Sequence, residues 1–246
     1  MILAPEAVQR LERATLDAVA PQRVQTLGNW LLAFDPSTIS RTKSAVPLRH
    51  QGLDGGDIAA IAQRYRDQGL PPLLRVADLP ALHQVHAAMR AQGLAPTQPT
   101  LVQVAQLADV LSLHTVHDAV VETHPSDAWA SVYTAPGFDA VDGAYRRAAL
   151  SRSPFVVYAH VQQDGQTLAA GTASLSQGWA SIHGMRTVPA ARGRGLAGAI
   201  LAALARHALA QGLSEVFLQV EENNMQAQSL YRRAGFGTAW RYHHWR

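Results

Sequence analysis

The sequence repeats one arrangement of a helix, a strand and a second helix, and this repeat restricts the possible folds more than any other feature. In the C-terminal half, Gly212 ends one helix, a strand follows, and Gly235 ends the next helix. In the N-terminal half, Gly69 and Gly93 stand in the same places. The separations are 23 residues (235 − 212) and 24 residues (93 − 69). Because glycine often ends a helix, the near-equal spacing predicts two copies of one αβα unit.

The hydrophobic pattern predicts further elements around both copies. In the N-terminal half we expect helices over the first twenty residues, over 57–68 and from Asp78 as N-cap to Gln92, with strands at 30–34, 44–48, 73–76 and 101–104. In the middle we expect a strand near 110–116 and helices on either side of Pro136-Gly137. After these we expect strands at 155–161, 167–175, 179–188 and 215–220, helices at 195–210 and 224–234, and a last strand through Trp245. The mixture predicts an α/β protein.

Composition excludes several classes of protein. The 246 residues carry a net charge of +3 without a basic run, so we expect no nucleic-acid partner. The chain has no cysteine, which rules out disulfides, thiolate zinc sites and Cys nucleophiles. No run approaches the roughly 18–20 apolar residues of a membrane helix, and the N-terminus does not have the pattern of a signal peptide. We therefore expect a cytoplasmic protein with no membrane partner.

The segment from Met185 to Gly198 carries the strongest functional signal. It joins a strand to a helix start through Arg192-Gly193-Arg194-Gly195. Amides at a helix N-terminus favour an anion, glycines allow phosphate oxygens to approach the backbone, and the two arginines add positive charge. For a Gly-Arg-Gly taken alone, an ordinary basic and flexible connection is the alternative.

The run GRGLAG at 193–198 also matches the dinucleotide fingerprint G-x-G-x-x-G, with Glu221 as a candidate ribose-binding acid. In that fingerprint the first glycine follows its strand directly, whereas Pro189 to Arg192 intervene here. Only 25 residues (246 − 221) follow Glu221, too few to complete a doubly wound sheet. This placement argues against a dinucleotide site.

The C-terminal pattern resembles the GNAT acyltransferase superfamily. Residues 192–197 match its acetyl-CoA motif Q/R-x-x-G-x-G/A position by position. Its second motif, an Asn followed by A-x-x-L-Y and G-F, appears at Asn224, Ala227, Leu230, Tyr231, Gly235 and Phe236. The match spans about 155–246, and the N-terminal half resembles a degenerate second copy, as in tandem members. The resemblance implies a GNAT fold, a mixed and mostly antiparallel central sheet flanked by helices, with a degenerate domain at 1–108 and a catalytic domain at 109–246.

The resemblance also implies the reaction and the roles of residues. It implies transfer of an acetyl group from acetyl-CoA, the co-substrate, to an amine by direct attack in a ternary complex. Tyr231 would be the general acid that protonates the leaving thiolate; packing at the core edge is its alternative. Asn224 would bond near the cofactor arm; a helix N-cap is the alternative and is compatible. The implied cofactor-binding residues are Met185, Arg186, Thr187, Arg192, Gly193, Arg194, Gly195, Leu196, Ala197, Gly198, Asn224 and Tyr231.

The base that deprotonates the amine stays open among His183, Glu221, Glu222 and water. His183 has a suitable ordinary pKa of about 6.5, although a lone histidine on a strand is more often structural. A backbone N–H near Met185 would stabilise the oxyanion. The eleven histidines show no metal-binding spacing, so we expect no metal.

The N-terminal copy departs from the motif. Asp54 and Asp57 stand in its loop, where they would repel phosphate, and Met89 stands where the other copy has Tyr231. We therefore expect one acetyl-CoA per chain, with the N-terminal copy serving in packing, in closing the acceptor cleft or in dimerisation. The acceptor would be a small-molecule or peptide amine, and the protein a monomer or homodimer. A non-catalytic regulatory module that binds CoA or a nucleotide is the alternative function.

Overall fold

A computed structural model describes residues 3–246 of the chain. The strands are β1 (Arg23–Leu27), β2 (Trp30–Phe34), β3 (Ala45–Pro47), β4 (Leu74–Ala77), β5 (Pro96–Gln106), β6 (Val120–Glu122), β7 (Val156–Gln163), β8 (Gln166–Ser176), β9 (Trp179–Thr187), β10 (Glu215–Glu221) and β11 (Gly237–Trp245). The helices are α1 (Pro5–Val19), α2 (Ile58–Arg66), α3 (His83–Ala91), α4 (Leu107–Val110), α5 (Asp127–Ser131), α6 (Ala140–Arg152), α7 (Leu196–Ala210) and α8 (Met225–Arg233). The first two residues of the predicted N-terminal helix lie outside the described range.

All eleven strands form one sheet in the order β1-β2-β3-β4-β11-β5-β10-β9-β8-β7-β6. Neighbouring strands are antiparallel except for β3 with β4 and β9 with β10, which are parallel. The predicted α/β fold with a mixed and mostly antiparallel sheet is therefore confirmed.

The two halves of the chain exchange their last strands. β5, which follows α3, lies between β10 and β11, and it pairs with β10 from Glu215↔Gln106 to Glu221↔Thr100. β11, which follows α8, lies between β4 and β5. Each half therefore completes the sheet of the other. The division between 108 and 109 stays a prediction.

Two large hydrophobic clusters support this sheet. One contains the N-terminal core, including Trp30, Tyr65 and Met89, together with Trp240 and Trp245 of β11. The other surrounds α7, whose apolar residues are buried on nearly all sides. α1 also packs on β8 and β9, so the first helix of the chain contributes to the C-terminal half.

Two local predictions differ from the structure, and the sequence did not indicate the short strands β1 and β6. The strand near 110–116 is wrong, because α4 ends at Val110 and a loop carries Leu113 onto the α7 cluster before β6 begins. Asp78 is not an N-cap, because its carboxylate pairs with the guanidinium of Arg241 and a 3-10 turn (Pro80–Leu82) precedes α3. β1 was not predicted, since its residues are mostly exposed and lack a clear apolar alternation.

Candidate active site

β9 and β10 diverge, and a cleft opens where they separate. Their parallel pairing covers only Val216↔Ala180, Phe217↔Ser181 and Leu218↔Ile182. From residue 183 onward, the edge of β9 that faces β10 has no strand beside it within residues 3–246. Backbone N–H and C=O groups on such an edge are available to an extended ligand.

A bulge in β9 helps to produce this divergence. The register with β8 shifts between Thr172↔His183 and Ala170↔Arg186. Gly184 lies in the bulge with a φ of +63°, and a Cβ there would lie 2.6 Å from the hydroxyl of Tyr133 and from a methyl group of Leu150. Only glycine fits this conformation and this space. The sequence motifs do not include Gly184.

The glycine loop at the end of β9 presents a row of unpaired amides. Gly193 and Gly195 have φ values of +79° and +83°, and Gly195 is the N-cap of α7. None of the five backbone N–H groups from Gly193 to Ala197 donates a hydrogen bond within the described residues. Unpaired amides at the N-terminus of a long helix favour a bound anion.

The two loop arginines are exposed and leave the loop positively charged. Arg194 donates to the side chain of Gln163, and its carbonyl oxygen lies 2.9 Å from Nε2 of His117. The Arg192 guanidinium lies 6.0 Å from the ring centre of Phe138. Neither arginine pairs with a carboxylate in the part of the chain that the structure describes.

Tyr231 lines the cleft from α8. Its side chain is 7% exposed, and its ring packs against Phe236 with centroids 5.8 Å apart. Burial raises the pKa of its phenol to about 12, so the hydroxyl keeps its proton at neutral pH. Tyr231 therefore offers a hydrogen-bond donor to the cleft and also packs at the edge of the core.

Asn224 lies at the same wall of the cleft and is the N-cap of α8. Its Oδ1 accepts a hydrogen bond from the amide of Ala227 at 3.1 Å. The cap uses only the oxygen, which leaves the amide nitrogen of the side chain for a ligand.

The three candidate bases have different surroundings. His183 is 4% exposed, and its Nε2 contacts the hydroxyl of Ser181. Burial, with the charges of Arg41 and Arg75, holds the pKa of His183 well below its usual value of 6.5, so it accepts a proton poorly. Glu221 lines the cleft, and its Oε1 accepts from Nε2 of Gln98 at 2.8 Å.

Glu222 is not part of the cleft wall. Its carboxylate lies 3.4 Å from the guanidinium of Arg241 on β11. Of the two candidate acids, Glu221 is therefore the one that lines the cleft.

Both halves of the chain contribute to the cleft. The N-terminal half supplies residues that no motif indicated, namely Thr38, Ile39, Ser40, Arg41, Gln98 and Thr100. The C-terminal half supplies Met185, Arg186, Asn224 and Tyr231 among others. The cleft depends on the whole chain because the contributing strands belong to one shared sheet.

The corresponding loop of the N-terminal half is closed. Oδ1 of Asp54 accepts a hydrogen bond from the amide of Gly56 at 2.9 Å. This amide is therefore not available to a bound anion. A Cβ on Gly55 would lie 2.7 Å from Ala88 of α3, which shows how closely the loop packs on that helix. Met89 is fully buried in the core. This half has neither an open anion-binding loop nor a hydroxyl in the place of Tyr231.

Within residues 3–246, no three His, Asp or Glu side chains are grouped so that they could hold a metal ion. None of the described helices is both long and apolar enough to cross a membrane.

Comparison with known families identifies the chain. The profile of the family described as "Probable histone acetyltransferase Rv0428c C-terminal" matches residues 6–245, nearly the whole sequence. The chain belongs to this family. A search of curated proteins finds no match. Membership in the Rv0428c C-terminal acetyltransferase family agrees with the resemblance to the GNAT superfamily that the two motifs carry.

Solved structures share the fold of this family member at low sequence identity. A GCN5-related N-acetyltransferase from Kribbella flavida has a TM-score of 0.71 and 15% identity, covering 97% of this chain and 94% of that one. A tandem GNAT protein from the clavulanic acid biosynthesis pathway has a TM-score of 0.64 and 16% identity, covering 99% of this chain and 96% of that one. A functionally unknown conserved protein from Staphylococcus epidermidis ATCC 12228 has a TM-score of 0.67 and 13% identity, covering 92% of this chain and 94% of that one. The predicted GNAT fold is confirmed.

Proposed function

We propose that the protein transfers an acetyl group from acetyl-CoA to an amine acceptor. The observation that carries this proposal is the combination of the unpaired edge of β9 with the five unpaired amides that follow it. The edge suits an extended amide-containing chain, and the amides suit a pyrophosphate. A hydroxyl donor, Tyr231, lies in the same cleft.

The residues present fit acetyl-CoA without a further group. The backbone of Met185, Arg186 and Thr187 would pair with the pantetheine arm, and the amides of 193–197 would hold the pyrophosphate. The amide of Gly198 already donates to the carbonyl oxygen of Gly195 at 3.0 Å, so the expectation that it binds the cofactor is corrected. Arg192 and Arg194 would add charge at the exposed mouth of the loop. The bound thioester supplies an activated acetyl carbon; as the C–N bond forms and the C–S bond breaks, the amine loses one proton and the thiolate gains one.

Tyr231 is the proposed donor of the proton to the thiolate. The phenol is protonated through the neutral range, as it would be at the ordinary tyrosine pKa of about 10, so a donor is present in every turnover. Burial raises its pKa to about 12, which makes the phenol a weaker acid without removing the proton. Partial burial also limits competition by water for this hydroxyl. A backbone N–H near Met185 would stabilise the developing negative charge on the acetyl oxygen.

Glu221 is the proposed acceptor of the proton that the amine releases. It borders the cleft, and its hydrogen bond from Gln98 fixes one carboxylate oxygen. His183 is less suited to this role, since its depressed pKa makes the imidazole a weak base. Glu222 is less suited because Arg241 already pairs with it.

Thiol release with a panel of amines tests the proposed function. The panel contains amino acids, amino sugars, polyamines and a lysine-bearing histone peptide, the last because the family description names a histone acetyltransferase. We expect amine-dependent release of free thiol with one class. Tight binding of acetyl-CoA without release for any amine would instead favour the non-catalytic module.

A further inference from the structure

Arg41 lines the cleft from the N-terminal half without a partner for its charge. It lies on the 3-10 turn Ser40–Lys43 between β2 and β3. Its Nε is buried and has no hydrogen-bond partner, and the side chain forms no ion pair within residues 3–246. Buried donors of charged groups are normally paired, because an unpaired one loses its hydration without compensation.

The other two arginines of the cleft wall, Arg146 and Arg186, contact a carboxylate. Arg146 and Arg186 both bond to Oδ2 of Asp142, at 2.7 Å and 2.5 Å. Arg75 is buried outside the cleft wall; its Nη1 pairs with Glu12 at 2.6 Å, while its Nε and Nη2 have no hydrogen-bond partner. Among the three arginines that line the cleft, Arg41 is thus the one that contacts no described carboxylate.

The segment that carries Arg41 is held rigidly from both sides. Oδ1 of Asp35 accepts from the amide of Ser37 at 2.8 Å, and the hydroxyls of Ser37 and Thr42 are bonded to each other at 2.8 Å. Oδ2 of Asp35 pairs with Arg152 of α6 at 2.6 Å. This network orders the turn before any ligand binds, which lowers the entropic cost of binding.

A second bond ties the same segment to the C-terminal half. The Thr38 hydroxyl donates to Oδ1 of Asp142 on α6 at 2.8 Å. Arg41 therefore lies on a segment that is bonded to α6 at two points, Arg152 and Asp142, rather than on a free loop.

We propose that the amine acceptor carries a carboxylate and that Arg41 binds it. This inference rests on the proposed function and names its acceptor class, a small amino acid or another amino carboxylate. The planar guanidinium matches a carboxylate through two parallel N–H···O bonds. Glu221, whose carboxylate lines the same cleft and forms no ion pair within the described residues, would face the amine. A cationic amine without a carboxylate leaves Arg41 unpaired.

Binding of product analogues tests this proposal without any turnover. Ligand-observed NMR would compare a panel of N-acetyl amino acids with the matched N-acetyl amino amides. We expect at least one acid to bind about 10–100-fold more tightly than its amide, the range for hydrogen bonds to a charged group. Arg41→Gln should abolish the difference, and Arg41→Lys should restore part of it. Equal binding of every acid and its amide, or a preference that Arg41→Gln leaves intact, would overturn the proposal.

Lys43→Gln is the matched control, since Lys43 lies on the same turn but outside the cleft wall. It should retain the full preference for acids. Thiol release then separates the two proposals. If acids bind selectively but no amine causes thiol release, the result contradicts acetyl transfer and still supports the Arg41 site. If amino amides cause thiol release as efficiently as amino acids do, the result contradicts the Arg41 site and still supports acetyl transfer.

Discussion

The hydroxyl of Tyr133 donates a hydrogen bond of 2.7 Å to the carbonyl oxygen of Gly184, in the bulge of β9. This bond connects the segment after α5 to the point where β9 leaves β10. Tyr133 is fully buried, and its ring also packs on Trp129. The shape of the cleft therefore depends on a residue outside both motifs.

Tyr133→Phe tests this relationship. We expect a loss of about 1–2 kcal/mol in the free energy of unfolding, since a partly buried carbonyl loses its donor. The Kd of acetyl-CoA should rise severalfold, because the bulge positions the edge of β9. Chemical denaturation and calorimetry measure both effects. Tyr145→Phe on α6 is the control, and equal behaviour of the two variants would contradict the role of this bond.

Arg192→Glu tests the charge of the glycine loop. It should raise the Kd of acetyl-CoA about tenfold at low salt, which corresponds to ~1.4 kcal/mol. The effect should shrink at high salt because exposed charges are screened. Isothermal calorimetry at two ionic strengths measures it. The control is Arg206→Glu, at an exposed site further along α7, which should change the Kd of acetyl-CoA little. If Arg206→Glu weakens binding as much as Arg192→Glu does, the effect comes from the net charge of the protein and not from the loop.

The number of sites per chain tests the asymmetry of the two halves. We expect one acetyl-CoA per chain by native mass spectrometry, because Asp54 caps its own loop amide and the N-terminal loop packs tightly on α3. Asp54→Asn should leave this count unchanged. Two equivalent sites, or loss of the single site in Asp54→Asn, would contradict the assignment to the C-terminal half.

The half-buried His50 and the buried His244 predict a loss of stability in acid. Burial, followed by the nearby charge of Arg75, lowers the pKa of His50 to about 4, and burial is also the largest cause that lowers the pKa of His244 to about 3. The unfolded chain therefore binds protons that the folded chain does not. This stability is present above pH 6.5 and is lost as the pH falls toward the folded values, by about 1.4 kcal/mol per pH unit and per group.

His50→Gln should reduce this pH dependence between pH 6.5 and 4, as measured by denaturation at several pH values. His114→Gln, which changes an exposed histidine in a loop, serves as the control. An unchanged slope in His50→Gln would show that His50 titrates normally.

The local motifs could be predicted from the sequence because they depend on short-range geometry. A loop with glycines at 193 and 195 before an apolar helix produces positive φ and open amides whatever the rest of the chain does. Asn224 three residues before Ala227 predicts a cap for the same reason.

The shared sheet could not be predicted in this way. The position of β5 between β10 and β11 depends on pairing between segments more than a hundred residues apart. Gln98 reaches the cleft on the exchanged strand β5, and Arg41 reaches it from the turn between β2 and β3, which no motif indicated. The sequence also could not show that His183 is buried, which is what lowers its pKa and weakens it as a base.

Tyr231→Phe tests the proposed mechanism of acetyl transfer most directly. The variant keeps the ring that packs on Phe236 and removes only the proton donor. With the best amine of the panel, kcat should fall about 10²–10⁴-fold, while calorimetry should show an unchanged Kd for acetyl-CoA. An unchanged kcat, or a loss fully explained by weaker binding of acetyl-CoA, would contradict the role of Tyr231 as the acid.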